Sequence, residues 1–271
     1  MKVRDAQVAG MFYPSDPETL KEQVNDYLLN IKIDESFNSI AGLIAPHAGY
    51  VYSGKTAAYG YKTIEGKEFE NVIVISPSHR EYFKGISIYS GDAYETPLGK
   101  IIVNDDLREK LISESEIIYA GTEGHKYEHA LEVQLPFLQT VLKDFKLIPM
   151  VIGDQRREFI SELADVLART TDDKTLLVAS SDLSHFYTKE QAAILDTRVV
   201  NHINHFKYEE LLNDIESKRC EACGGGGIVA LMKALKLRNY SNSKVIAHTD
   251  SGDITGDDKE VVGYLSAIIY N

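Results

Sequence analysis

The chain has no tryptophan, only two cysteines and seven prolines among 271 residues, and no excess of basic charge. Each shortage excludes something. Two cysteines cannot staple a small secreted scaffold, so the fold must rest on an apolar core, and a reducing, cytoplasmic setting is expected. With 29 Lys and Arg against 41 Asp and Glu, the formal charge is −12. Such a balance offers no electrostatic footprint for a nucleic-acid backbone or an anionic membrane. No apolar run approaches the roughly 20 residues of a membrane span, and Met1-Lys2-Val3-Arg4-Asp5 lacks the apolar stretch expected of a signal peptide. No Pro-, Gly- or Ser-rich linker and no internal repeat divides the chain, so residues 1–271 are expected to form a single domain.

What is present is a 44% hydrophobic composition arranged as alternating elements. Strand-length runs rich in Ile and Val occur at 39–46, 71–76, 147–152, 175–180, 245–248 and 261–270. Amphipathic stretches at 17–29, 54–64, 130–143, 158–169, 189–206 and 227–237 lie between them. Several strand runs are apolar throughout, which predicts burial on both faces and an α/β fold with a central, mostly parallel or mixed sheet flanked by helices. Residues 86–103, around Glu95-Thr96-Pro97-Leu98-Gly99, are expected to form a β-hairpin excursion.

Ligand crevices of open α/β sheets lie beyond the carboxyl ends of strands, so the residues at strand exits carry the functional information. The run ending at Pro46 continues into His47-Ala48-Gly49-Tyr50, the second exits through Ser76-Pro77-Ser78-His79, and the fourth through Ser180-Ser181-Asp182-Leu183-Ser184-His185. Three such exits carry histidine although the chain has eight, which predicts a shared cleft. A helical turn at 182–185 would put Asp182 and His185 on one face. His129 and Glu132, at an expected helix start, are further cleft candidates, as are Tyr50 and Ser78; Tyr13, Tyr52 and Tyr187 lie near the same motifs. His202 and His205 are expected to be exposed, and His248 to be buried and hydrogen-bonded.

Cys220-Glu221-Ala222-Cys223 runs into four glycines and an apolar helix. Glycine lets the backbone approach a ligand closely, and a helix N-terminus favours an anion, so a thiolate with a lowered pKa is expected at Cys223. A thiolate beside imidazoles suits Fe(II), Cu or Zn. One C-x-x-C pair without a second argues against a closed structural zinc site, and Cys220 is expected to be incidental. No Walker-type lysine accompanies the glycines, which disfavours a nucleotide hydrolase. Residues 250–258 lack calcium-loop spacing and are expected to form a solvated loop.

Segments 45–54 (APHAGYVYSG), 76–79 (SPSH), 128–136 (EHALEVQLP), 180–185 (SSDLSH) and Cys223-Gly224, with 4–6 (RDA) and 10–13 (GMFY), resemble the Memo family in order and spacing along essentially the whole chain. This family supplies protein B of the microbial AmmeMemoRadiSam system and includes animal mediators of cell motility. The resemblance implies a fold like that of class III extradiol dioxygenases, whose nonheme Fe(II) sits between two histidines and a carboxylate. It implies His47 and His79 as metal ligands, Cys223 in place of the carboxylate, His185 as the acid/base histidine of the cleft, and Fe(II) or Cu as cofactor. Radical-SAM and AMMECR-type proteins are the implied partners. Gly224-Gly225-Gly226 departs from the Cys-Gly-Arg of animal members, so an anion-binding arginine there is missing.

Two functions follow as expectations. The first is a metal-dependent redox enzyme with His47, His79 and Cys223 as ligands, and with Asp182 orienting His185 for proton transfer to a small molecule. The alternative is a non-catalytic module that keeps the cleft and binds a peptide or partner protein.

Overall fold

Alternation along the strands divides the interior into two layers. Leu43 and Ala45 face one layer and Ile44 the other, and Val72 and Val74 are likewise opposed to Ile73 and Ile75. Such strands are stable only with both faces covered. The computed structural model describes all 271 residues.

In chain order the elements begin β1 (Val3–Arg4), α1 (Pro17–Leu29), β2 (Gly42–Ala45), α2 (Tyr50–Lys62), β3 (Asn71–Pro77) and β4 (Ile86–Tyr89). There follow β5 (Ala93–Thr96), β6 (Gly99–Ile102), α3 (Asp105–Ser113), β7 (Ile118–Gly121), α4 (Leu135–Val141), β8 (Lys146–Ile152), α5 (Arg157–Thr170) and β9 (Thr175–Ser180). The chain closes with β10 (His185–Tyr187), α6 (Lys189–Asn204), α7 (Tyr208–Glu216), α8 (Gly225–Leu237), β11 (Asn242–Asp250), α9 (Gly252–Thr255) and β12 (Val261–Tyr270).

The large sheet runs β10-β12-β2-β9-β3-β8-β4-β7, with β11 also paired to β12, and a small sheet runs β1-β5-β6. Strands β2, β9, β3 and β8 are mutually parallel, whereas β12 and β4 join them antiparallel. The fold is therefore one α/β domain with a mixed central sheet, as expected. Helices α1, α2 and α4 cover one face, and α5, α6, α7 and α8 the other.

Local chemistry explains the element ends. The Asp16 side chain caps α1 by accepting from Thr19 N at 2.9 Å, Pro17 occupies the first turn, and Leu20, Val24 and Leu28 form the buried stripe. The expected helix over 130–143 is shorter: a 3₁₀ turn at Glu132–Gln134 precedes α4, because Pro136 has no N–H to continue an α-helical ladder from upstream. The hairpin is confined to β5 and β6. Ile86–Tyr89, included in it from sequence, instead pairs with β8 and β7 in the main sheet. The 182–185 segment makes no helical turn. Leu183 N donates to Gly263 O and Gly263 N to Ser184 O, which ties the segment to β12.

The order of neighbours places the site. Strand β9 lies between β2 and β3, so the three exits that carry histidine adjoin at one end of the sheet.

Candidate metal centre

Three loops and a helix start converge beyond β2, β9 and β3. His47 follows β2 and is 1% exposed; its Nε2 is 3.2 Å from Cys223 Sγ. His79 follows β3, and its ring stands edge-on to that of His47 at 5.1 Å between centroids. One nitrogen from each imidazole and Cys223 Sγ lie within 4.8 Å of one another. His129 adds a third ring, 5.4 Å from His47 and stacked on His79 at 4.9 Å.

His47 and His79 are held from behind. His47 Nδ1 lies 2.9 Å from Ser180 Oγ, which donates to Ala130 O at 2.6 Å and receives Gln134 Nε2 at 2.8 Å. Gln134 is fixed in turn by Pro46 O at 2.9 Å and by Tyr61, whose hydroxyl donates to Gln134 Oε1 at 2.7 Å. Glu128 accepts from His79 Nδ1 at 2.9 Å, from His79 N at 2.6 Å and from Ala130 N at 2.9 Å. It also stands 3.3 Å from His129 Nδ1, which nevertheless has no hydrogen-bond partner. Cys223 is anchored through its backbone: its N donates to Asp182 O at 3.1 Å, and its carbonyl accepts from Gln155 Nε2 at 2.7 Å.

Electrostatics follow from burial. Desolvation lowers His47 to about 3, with the neighbouring His79 charge adding to the effect, and it lowers His129 to about 4. Both imidazoles are neutral at pH 7, as metal ligation requires. Burial would raise Glu128, but the hydrogen bond and charge of His79 and the His79 and Ala130 amides outweigh it and hold the carboxyl at about 2. Burial raises Asp182 to about 6 against the pull of the His47 amide.

The expected low-pKa thiolate at Cys223 is corrected. Burial, with the Asp182 charge added, pushes the thiol up to about 12, and Asp182 N–H at 3.2 Å from Sγ offsets only part of that. Cys223 precedes the first turn of α8, and the dipole of a helix end does not outweigh loss of water around the sulfur.

A family model for Memo, described as Memo-like protein, matches residues 4–268. The chain belongs to the Memo family. It is 37% identical over 279 residues to a MEMO1 family protein of Methanobrevibacter smithii, covering 98% of this chain and 99% of that protein. The MEMO1 family protein of Aquifex aeolicus is 37% identical over 272 residues, covering 99% of both chains. A solved structure of an uncharacterized Escherichia coli K12 protein aligns with TM-score 0.52 over 85% of this chain and 99% of that one. At 14% identity, that likeness speaks to fold alone.

In this Memo-family chain not every expected cleft residue faces the centre. Glu132 is corrected: fully buried, it pairs with Arg4 Nη1 at 2.6 Å and accepts from Tyr13 Oη at 2.6 Å and from the amides of Gln7 and Val8. It ties down the N-terminal segment. Tyr50 is buried and its hydroxyl donates to Val133 O at 2.7 Å, while the Ser78 hydroxyl donates to Glu81 O at 2.5 Å. Tyr187 donates to Glu221 Oε1, and Tyr52 is exposed.

His185 sits half-buried at the start of β10, and Asp182 does not hydrogen-bond to it; Asp182 Oδ1 accepts from His47 N at 2.7 Å instead. The two are coupled by charge alone. Cys220, expected to be incidental, is buried in the core. His205 is exposed, but His202 is largely buried against Asp214 at 2.9 Å, and the His248 side chain is 33% exposed rather than buried. Within 250–258, Asp250, Asp253 and Asp258 gather around Lys189.

Glu128, Gln134, Ser180 and Gln155 hold the site, and sequence reasoning missed these roles. Glu128, Gln134 and Ser180 stand inside the motifs quoted above, but without a role; Gln155 left no local sign and joins the site through tertiary contact.

Proposed function

We propose that this Memo-family protein is a metal-dependent redox protein that holds Fe(II) or Cu through His47, His79 and Cys223. The observation that supports the proposal most is convergence. Donors from three separate segments lie within 4.8 Å, and each imidazole has a buried hydrogen-bond partner on its far nitrogen. The donor set fits such a metal: two imidazoles and one sulfur suit a borderline or soft cation, and three protein ligands leave open positions. The raised thiol fits as well, since a cation supplies the charge that burial withholds and converts the thiol to thiolate. When bound, the metal supplies electron transfer or Lewis-acid chemistry.

The remaining residues handle protons. Asp182, raised to about 6, exchanges a proton close to neutral pH, while the His185 imidazole lies near enough for its charge to bear on both Asp182 and His47. The near-complete burial of His47 keeps water from the inner wall. Metal content of protein purified without added metal, and after anaerobic Fe(II) or Cu(I) loading, tests the proposal beside His47→Ala and Cys223→Ala. Stoichiometric metal in the parent and its loss in both variants is expected. Equal, near-zero occupancy in all three overturns it.

One observation favours a second reading, a peptide- or partner-binding module. Tyr52, Tyr82, Tyr127 and Phe186 are large exposed side chains close in sequence to His47, His79, His129 and His185, and exposed aromatics of this kind suit protein contacts. Partner binding that survives loss of all three ligands would favour this module.

A further inference from the structure

We infer that two buried networks that meet at the Ala130 peptide backbone, Pro46–Gln134–Ser180–Ala130 behind His47 and Glu128 behind His79, lock both imidazoles in the Nδ1–H tautomer, making Gln134, Ser180 and Glu128 positioning residues that present two Nε2 lone pairs to Cys223. The inference rests on the metal centre proposed above, but its core is a count of protons that holds for the metal-free chain.

The count starts at a group with no freedom. Pro46 O can only accept, so the Gln134 group 2.9 Å from it is the NH₂, and the amide orientation is settled. The same NH₂ reaches Ser180 Oγ at 2.8 Å and donates there. Ser180 has a single proton, and at 2.6 Å it faces Ala130 O, another pure acceptor. Its oxygen has nothing left to give His47 and must accept, so His47 Nδ1, at 2.9 Å, carries the hydrogen. Nε2 is then a lone pair facing Cys223 Sγ at 3.2 Å.

The second network is shorter. The Glu128 carboxylate receives the His79 and Ala130 amides and can only accept at Oε1, so His79 Nδ1, 2.9 Å away, also carries a hydrogen, and in the neutral ring that leaves the lone pair on Nε2. Both networks lie in the interior: Ser180, Gln134 and Glu128 are each at most 1% exposed. His47 itself is 1% exposed, so no bulk water competes for its bond, whereas the His79 ring is 29% exposed and only its Glu128 partner is fully shielded. An imidazole in water favours the other tautomer, with hydrogen on Nε2, which would block ligation. Fixing the tautomer in advance removes that competition, the kind of outer-shell effect that changes metal affinity about 10–100-fold.

Long-range ¹H–¹⁵N correlation spectra of metal-free, ¹⁵N-histidine-labelled protein read the tautomer directly, with no variant needed. Co(II) titration, followed by its thiolate charge-transfer band, then compares the parent with Ser180→Ala and Glu128→Gln. Expected are Nδ1–H signatures for His47 and His79 in the parent. Ser180→Ala should give a mixed or Nε2–H signature at His47 alone with Co(II) affinity weakened about 10–100-fold, and Glu128→Gln the corresponding loss centred on His79. An Nε2–H signature at either residue in the parent overturns the inference, as do folded variants with unchanged tautomers and affinities. A parent with both tautomers as assigned that binds neither Co(II), Fe(II) nor Cu(I) supports the proton count while overturning the metal reading.

Discussion

Removing the Arg4 guanidinium should cost more than any surface charge in the chain. Arg4 is 5% exposed and donates to Glu132 Oε2 and to the carbonyls of His125 and Glu128, with its plane 4.7 Å from the Tyr94 ring centroid. Arg4→Ala leaves a fully buried carboxylate with only the Gln7 and Val8 amides and the Tyr13 hydroxyl, and strips two carbonyls of their donor. Breaking a buried ion pair from one side typically costs about 3–5 kcal/mol. For a chain of this length that corresponds to a melting temperature lower by about 5–9 °C. Urea denaturation of the parent, Arg4→Ala, Glu132→Gln and the double variant measures the pair. The coupling should be large because the second change removes the charge that the first one strands. Hydrogen exchange should show the 125–132 segment, which carries Glu128 and His129, opening in Arg4→Ala. A loss below about 1 kcal/mol, against the several expected of a buried pair, with unchanged exchange over 125–132, would refute the reasoning.

Gly224→Ala should abolish metal retention while leaving much of the core intact, because a Cβ there would collide with the Ser180 carbonyl oxygen and push the Cys223 turn away from His47; metal analysis and near-UV circular dichroism check it, and full occupancy would count against the placement of that turn. Acidification should destabilise the metal-free protein from about pH 6.5 downward, since His47 and His125, lowered to about 3, and His129, lowered to about 4, stay neutral when folded but bind protons when unfolded. Asp182, raised to about 6, acts in the opposite sense between its two values, and Glu128, held at about 2, adds a further loss below the ordinary carboxylate range. Urea midpoints at pH 7, 5.5 and 4.5 should therefore fall in that order, and a flat or rising series would contradict the burial assigned to these histidines.

The core of the site was legible because it lies at strand exits. His47 directly follows an apolar run and His79 comes three residues after one, and the parallel order β2-β9-β3 brings such exits together. Cys223 was legible through its glycines. What failed was whatever depended on tertiary surroundings. Glu132 has the spacing of a cleft residue, yet its direction is set by Arg4, 128 positions away. The Cys223 pKa went the wrong way because local dipole reasoning cannot see how much water the fold removes. The 182–185 segment, polar and short, gave no local sign that β12 would claim it.

His47 and Cys223 meet across 176 residues of chain, and that separation sets the order of assembly. A chain emerging during synthesis exposes both histidines long before the sulfur exists, and β12, which borders β2, comes after that. On the proposed ligand set such a site is completed late: no ion meets all three donors until residue 223 has been made and folded against His47.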